Sequence, residues 1–253
     1  MSEDFTGKVV LVTGAASGIG RATALEFARQ GANLVIADVT EDALGEVARA
    51  IGEMGRQVIA ARTDISSDEQ VRALVARTME EWGRLDCAAN IAGIEGEMAP
   101  TAETSMANWD RITAVNLRGT WLCLRYEIPA MLQAGGGAIV NMSSVAGLVG
   151  FAGLPAYNAS KGGIIALSRT AAVEYAARGI RVNTVCPGAI RTPMVERVVE
   201  SRPGMDQELV RMHPLGRIGE PVEVARAVVW LCSESASFVT GVALPVDGGF
   251  TAQ

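Results

Sequence analysis

Residues 9–20, VVLVTGAASGIG, run from four consecutive apolar side chains straight into three glycines, Gly14, Gly18 and Gly20. Val9, Val10, Leu11 and Val12 show no apolar–polar alternation, so the segment reads as a strand buried on both faces, as strands of parallel sheets are. Residues Arg21 to Ala28 follow, with Leu25 and Ala28 on one face of a helix. A strand, a glycine turn and a helix in that order suit phosphate binding. The first turn of a helix carries unpaired N–H groups and partial positive charge, and glycine lets a ligand come close to the backbone.

The alternation continues along the chain. Leu34 to Ala37 is a second apolar run that ends at Asp38. That is about 20 residues past the glycines, where a dinucleotide-binding fold places an acid to accept from ribose hydroxyls. Glu41 to Glu53 reads as a helix, and Val58 to Ala61 as a third strand ending near Asp64. Ser66-Ser67-Asp68-Glu69 starts a helix that reaches about Trp82. Leu85 to Ala89 is a fourth strand leading into Asn90-Ile91-Ala92-Gly93. A long helix is expected from about Asn108 to Leu132, then a strand from Ala138 to Met142. With no repeat and no low-complexity linker, the pattern predicts the α/β class: a single-domain, doubly wound parallel sheet of about seven strands with helices on both faces.

Composition removes several function classes. The net charge is −6 with no basic block, which argues against nucleic acid or an anionic membrane as partner. Cys87, Cys123, Cys186 and Cys232 stand dozens of residues apart, in neither metal-ligand nor disulfide spacing, so they read as core residues in a reducing compartment. No secretory-signal pattern and no apolar run of membrane-spanning length is present, and the expected location is the cytoplasm. His213 is the only histidine, which excludes a Ser/His/Asp hydrolase and a histidine-rich metal site.

The middle of the chain holds the candidate chemistry. The strand over 138–142 delivers Ser143 and Ser144 at its C-terminal end, where open α/β sheets bind their ligands. Tyr157 and Lys161 open a helix reaching about Ala177. Four residues apart, they share a helix face, and an ammonium beside a phenol lowers the phenol's pKa. Bringing a tyrosine from about 10 to about 7 takes roughly 4 kcal/mol of differential stabilisation. A dry site next to a positively charged nicotinamide could supply that; one exposed lysine could not.

Thr13-Gly14-x-x-x-Gly18-x-Gly20, Asn90-x-Ala92-Gly93, Asn116, Ser144 and Tyr157-x-x-x-Lys161 occur in this order, followed by Arg181-Val182-Asn183, Pro187-Gly188 and Asp247-Gly248-Gly249. Over essentially its whole length the chain resembles the short-chain dehydrogenase/reductase superfamily. The resemblance implies a Rossmann-type fold and hydride transfer between NAD and an alcohol or ketone. On this sequence, Tyr157 would be the general acid/base. Lys161 would depress its pKa and bind the nicotinamide ribose. Ser144, chosen over Ser143 by its spacing to Tyr157, would hold the substrate oxygen, and Asn116 would anchor a proton-relaying water. Gly14, Ser17, Gly18 and Ile19 would meet the pyrophosphate, and Asp38 the adenosine ribose. Asp64 and Ile65 would flank the adenine, with Asn90, Ala92 and Gly93 along the cofactor. Pro187, Gly188, Ile190 and Thr192 would pass the carboxamide.

The family often has two asparagines where this chain has Asn90-Ile91. NAD is expected over NADP because Asp38 repels a 2′-phosphate and Ala16, Ser17, Val39 and Thr40 supply no cation. The alternative, an NADPH-using 3-oxoacyl-carrier-protein reductase, meets that obstacle and lacks basic residues at Gln133-Ala134-Gly135 and Val173. Residues 190–215 would form a lid whose apolar residues, with Val145, Leu148, Val149, Phe151 and Leu154, suggest an uncharged, fairly apolar substrate. Arg191, Arg197, Arg202 and Arg211 would form a solvated face, or one of them would meet an acidic substrate. The resemblance suggests a homotetramer built on the two long helices, about Asn108 to Leu132 and Pro155 to Ala177.

Overall fold

A computed structural model describes residues 5–202 and 204–253 of the chain. The first unit is as expected: β1 (Val9–Thr13), a glycine turn, then α1 (Gly18–Arg29). It continues through β2 (Asn33–Asp38), α2 (Glu41–Glu53), β3 (Val58–Arg62), α3 (Asp68–Trp82) and β4 (Cys87–Asn90). After β4 come α4 (Met106–Ile112), a π-helical turn (Thr113–Arg118) and α5 (Gly119–Gln133), then β5 (Gly137–Met142) and α6 (Pro155–Tyr175). The last third holds β6 (Ile180–Pro187), α7 (Pro193–Ser201), α8 (Met205–Arg211), α9 (Pro221–Cys232) and β7 (Ala243–Val246). All seven strands are parallel, in the order β3-β2-β1-β4-β5-β6-β7. The direction of winding reverses between β1 and β4, which makes the C-terminal edge there a ligand-binding crevice.

The unbroken apolar strands are explained by the two layers they serve. Val10, Val12, Leu34 and Ile36 pack toward α1, α2 and α9 on one face. Val9, Leu11, Val35 and Ala37 pack toward α3, α5 and α6 on the other. Every residue of β1 is buried.

Two element starts and one helix interior differ from the sequence expectation. The helix expected from Asn108 starts at Met106, because the Ser105 side chain accepts from the Asn108 N–H at 3.1 Å and caps it. The fourth strand begins at Cys87, not Leu85, because the Asp86 carboxylate takes the Val9 N–H at 2.9 Å. The long helix is also not uniform, since residues 113–118, including Asn116, are π-helical. Such turns are common at functional sites.

Candidate active site

A cleft of about 580 Å³ opens over the C-terminal ends of β1, β2, β4, β5 and β6, a size that suits a cofactor with its substrate. One end is built by the first unit. Ser17 occupies the N-cap position of α1 but makes no side-chain cap, so first-turn N–H groups remain for a ligand. The glycines divide the work. Gly14 (φ +68°) lies where a Cβ would come within 2.8 Å of the Ala92 backbone, and a Cβ on Gly20 would sit 1.9 Å from the Gly14 carbonyl oxygen. These two are demanded by the chain's own packing. Gly18 (φ +51°) faces Thr192 across the cleft. Thr13 Oγ1 accepts from Ile91 and Ala92 N–H at 3.1 and 3.3 Å, which fixes the end of β4 beside the glycine turn.

Asp38 ends β2 with both carboxylate oxygens oriented: Oδ2 accepts from the Ala16 N–H at 3.1 Å and Oδ1 from the Thr40 N–H at 3.0 Å. Asp64 and Ile65 line the wall beyond it. This end therefore offers helix N–H groups, a fixed carboxylate and an apolar slot, which fits the pyrophosphate, ribose and adenine of a dinucleotide.

The other end carries Ser144, Tyr157 and Lys161. Ser143 and Ser144 leave β5 on opposite errands. Ser143 Oγ donates to the Lys161 carbonyl at 2.8 Å, whereas Ser144 faces the Tyr157 hydroxyl and draws its pKa down. Lys161 is buried, donates from Nζ to the Met142 carbonyl at 2.9 Å, and sits 5.5 Å from the centre of the Tyr157 ring. The sequence reading assigned the lowering of the phenol to the lysine together with a nicotinamide charge; the protein groups alone act differently. Burial is the largest influence on both groups. It pushes the Tyr157 phenol up to about 12, helped by the nearby Glu95 charge, and brings the Lys161 ammonium down to about 8. In this state the lysine does not hold the tyrosine low.

Most of the expected site residues line this one cleft: Gly14, Ser17, Gly18 and Ile19 from the turn, and Ala92 and Gly93 after β4. Pro187, Gly188, Ile190 and Thr192 close it from the β6 side. Two expected residues stand behind the wall instead. Asn90 is buried, and its Nδ2 donates to Glu127 Oε2 at 2.9 Å and Asn141 Oδ1 at 3.0 Å. It faces the helix layer because successive side chains of a strand alternate, and Ile91 takes the place at the cleft. Asn116 is fully buried: its Oδ1 accepts from the Ile94 N–H at 2.8 Å and its Nδ2 donates to the Ile94 carbonyl at 2.9 Å. Its side chain positions the loop after β4. Both Asn116 Oδ1 and Lys161 Nζ lie close to Gly93, 3.2 and 3.4 Å from where a Cβ would stand.

Other features escaped the sequence reading. Glu127 is buried under the site with its pKa raised by burial to about 7. Its only sequence signal was an acid in an apolar helix. Of the described lid residues, Ile190, Thr192, Pro193, Met194, Val195 and Arg197 reach the cleft; Val199 and Leu209 line a separate groove between α7 and α8. Arg197 is exposed, as expected, while lining the edge of the cleft and pairing with Glu95 at 3.8 Å. Val145, Leu148, Val149, Phe151 and Leu154 do not line the cleft. Phe151 stacks on Phe250, with ring centres 5.5 Å apart.

A parallel sheet with a glycine turn at its switch point, and a serine, tyrosine and lysine opposite, define a dinucleotide-dependent oxidoreductase scaffold. The chain belongs to the short-chain dehydrogenase/reductase superfamily. Residues 14–251 match the family model described as Enoyl-(Acyl carrier protein) reductase. The chain is 43% identical over 253 residues to a cyclohexanol dehydrogenase of Acinetobacter sp. (strain SE19), covering 100% of this chain and 98% of that one. It is 45% identical over 252 residues to a cis-4-hydroxycyclohexanecarboxylate dehydrogenase of Sinomonas cyclohexanicum, covering 100% of both. Its fold matches carveol dehydrogenase from Mycobacterium avium in complex with NAD with a TM-score of 0.95, at 30% identity and covering 99% of both chains.

Proposed function

We propose that this protein is an NAD-dependent dehydrogenase acting on a secondary alcohol or ketone, with a six-membered ring as the favoured substrate class. The observation that carries the reading is the convergence of Ser144, Tyr157 and Lys161 on the cleft whose far end holds the open α1 N-terminus and Asp38. The relatives named for cyclohexane alcohols support the ring.

Bound NAD would accept or return the hydride; every other requirement falls on the chain. Ser144 would hold the substrate oxygen beside Tyr157. The phenol oxygen would take the alcohol proton during oxidation and return it during reduction. Lys161, fixed by the Met142 carbonyl, would bind the ribose and share its charge with the phenol. Asp38 would accept from the ribose hydroxyls, and the first turn of α1 would meet the pyrophosphate. Ser143, Asn116 and Asn90 would act as positioning residues.

Assembly as a homotetramer is part of this reading. Trp121 on α5 and Val173 on α6 are exposed, and a groove of about 620 Å³ runs along the π-helical turn to Trp121 and Leu167. A second apolar patch, Trp230 and Phe238, is exposed elsewhere. Two separate faces suit a tetramer better than a dimer. Among the described residues no helix is long and apolar enough to cross a membrane, and the four cysteines are free thiols, which agrees with a cytoplasmic location.

The test is a panel of secondary alcohols, cyclic and linear, with NAD, followed by NADH absorbance. Cyclohexanol-like substrates should turn over, and light scattering should give four subunits. A panel with no turnover on any alcohol or ketone by the folded protein would remove the proposal.

A further inference from the structure

His213 takes no part in the chemistry above, yet it joins the segment after β6, which lines the cleft, to α8. It follows α8, is only 5% exposed, and has both ring nitrogens committed. Nδ1 lies 2.6 Å from the Leu209 carbonyl oxygen, and Nε2 lies 3.1 Å from the Ala189 backbone nitrogen. A carbonyl oxygen only accepts and a backbone N–H only donates, so the neutral ring carries its proton on Nδ1 and accepts at Nε2. The same nitrogen lies against Gly188, where a Cβ would come within 2.5 Å of it. Glycine at 188 is what lets the ring reach the next residue. Phe250 covers the ring at a centre-to-centre distance of 5.6 Å.

We propose that His213 is a positioning residue whose neutral ring ties the Pro187–Ala189 segment of the cleft to lid helix α8, and that protonating the ring releases this tie. The importance of that segment to catalysis rests on the cofactor placement proposed above. A protonated ring is a donor at both nitrogens, so Nε2–H would face the Ala189 N–H, and no hydrogen bond joins two donors. One of them must turn away, and the segment bearing Pro187 and Gly188 loses its link to the lid.

The charged groups around the ring bear on where the proton goes. Burial pushes the Asp247 carboxyl up, but hydrogen bonds from Thr251 and the Gly249 N–H outweigh it and hold it below the ordinary range, and Asp247 lies close enough for a charge on the His213 ring to add to this. Arg217 and Glu223 share a small hollow with His213 and pair with each other at 2.7 Å. The charged side chains of α8, Asp206, Glu208 and Arg211, are exposed. Asp247 thus favours a charged ring, and the bond from Ala189 opposes it.

Three measurements decide the matter, two of them on enzyme without cofactor. Because the chain has one histidine, its ring nitrogens give a single set of ¹⁵N resonances, which should report the Nδ1–H tautomer in the neutral ring and follow its protonation as the pH is lowered from about 8. Over the same range, hydrogen-exchange protection of the Ala189 amide, corrected for intrinsic rate, should fall about tenfold, the worth of one neutral hydrogen bond. The dissociation constant for NADH should rise by a similar factor. His213→Gln can accept from Ala189 but does not titrate. It should match wild type within about threefold at pH 8 and lose the pH dependence of both readouts. The proposal is overturned if the ring protonates while Ala189 protection holds, or if His213→Gln shows the same fall as wild type. These two results are independent of any catalytic assay, and the first needs no variant. Failure of NADH to bind at any pH would sink the cofactor placement while the Ala189 measurement still judged the tie.

Discussion

Asp38 is where cofactor choice can be worked out from geometry. Its carboxylate is held by the Ala16 and Thr40 N–H groups, so it cannot swing away from a bulky neighbour without losing both bonds. A 2′-phosphate in place of a ribose hydroxyl would bring a second negative charge within a few ångströms. Two unit charges 4 Å apart repel by about 4 kcal/mol at an effective dielectric near 20. Asp38 is only half-buried and its charge is partly offset by two N–H dipoles, so the full figure is not realised. A net penalty of about 2.7 kcal/mol, a hundredfold preference for NAD over NADP in kcat/KM, is the expected size.

Two variants separate charge from shape. Asp38→Asn removes the charge yet keeps one oxygen for a backbone N–H, and should bring the preference within about tenfold. Asp38→Ala with Val39→Arg should narrow or reverse it, because Val39 is 54% exposed beside the cleft and a guanidinium there can bind phosphate in a fork. Initial rates with each cofactor at saturating cyclohexanol decide the question. A wild type that prefers NADP, or an unchanged ratio in Asp38→Asn, would refute the placement of Asp38 at the ribose and bring the carrier-protein reductase reading forward.

Tyr157→Phe should lower kcat by at least 10²–10⁴-fold while NADH still binds with near wild-type affinity by fluorescence titration. With NAD bound, alcohol oxidation should rise with pH through one ionisation below the value of about 12 that Tyr157 has without cofactor, because the phenol must lose its proton before accepting one. Lys161→Met should move that ionisation upward, and a flat profile with chemistry rate-limiting would contradict it. Glu127, raised to about 7 by burial, costs stability as pH rises from its unfolded value of about 4.3 through 7, where the folded carboxyl must ionise. Glu127→Gln should therefore be more stable than wild type by about 3 kcal/mol at pH 8, with the gap closing below about pH 4.5 in urea unfolding.

The fold was legible because its signals are one-dimensional. Burial on both faces forces uninterrupted apolar strands, visible in Val9–Val12, and caps such as Ser67, which accepts from Gln70 N–H at 3.4 Å, mark helix starts. The cleft was legible as a set of residues but less so as a set of roles. Sequence order cannot say which face a strand-end residue takes, so Asn90 and Ile91 exchanged places. Nor does it reveal a π-helical turn, whose extra residue re-aims Asn116 without any glycine or proline to announce it. The glycines carried the signal for a reason only partly ligand-related, since Gly14 and Gly20 are required by close backbone approach. Glu127 was unreadable because a buried acid is distinguished only by its long-range partners Asn90 and, through it, Asn141.

Burial also explains why the proposed catalytic pair need not be reactive before its cofactor arrives. The same dry surroundings raise Tyr157 to about 12 and lower Lys161 to about 8, so each is driven toward its neutral form. Moving the phenol proton to the amine is therefore uphill in the free site. A positive nicotinamide bound alongside favours the phenolate and opposes further charge on the lysine, and low dielectric makes that influence strong. The burial that disfavours the phenolate in the free enzyme thus amplifies the cofactor's effect on it. Base strength becomes a property of the loaded site, and the ionisation seen in the alcohol-oxidation profile measures how far NAD binding brings Tyr157 down.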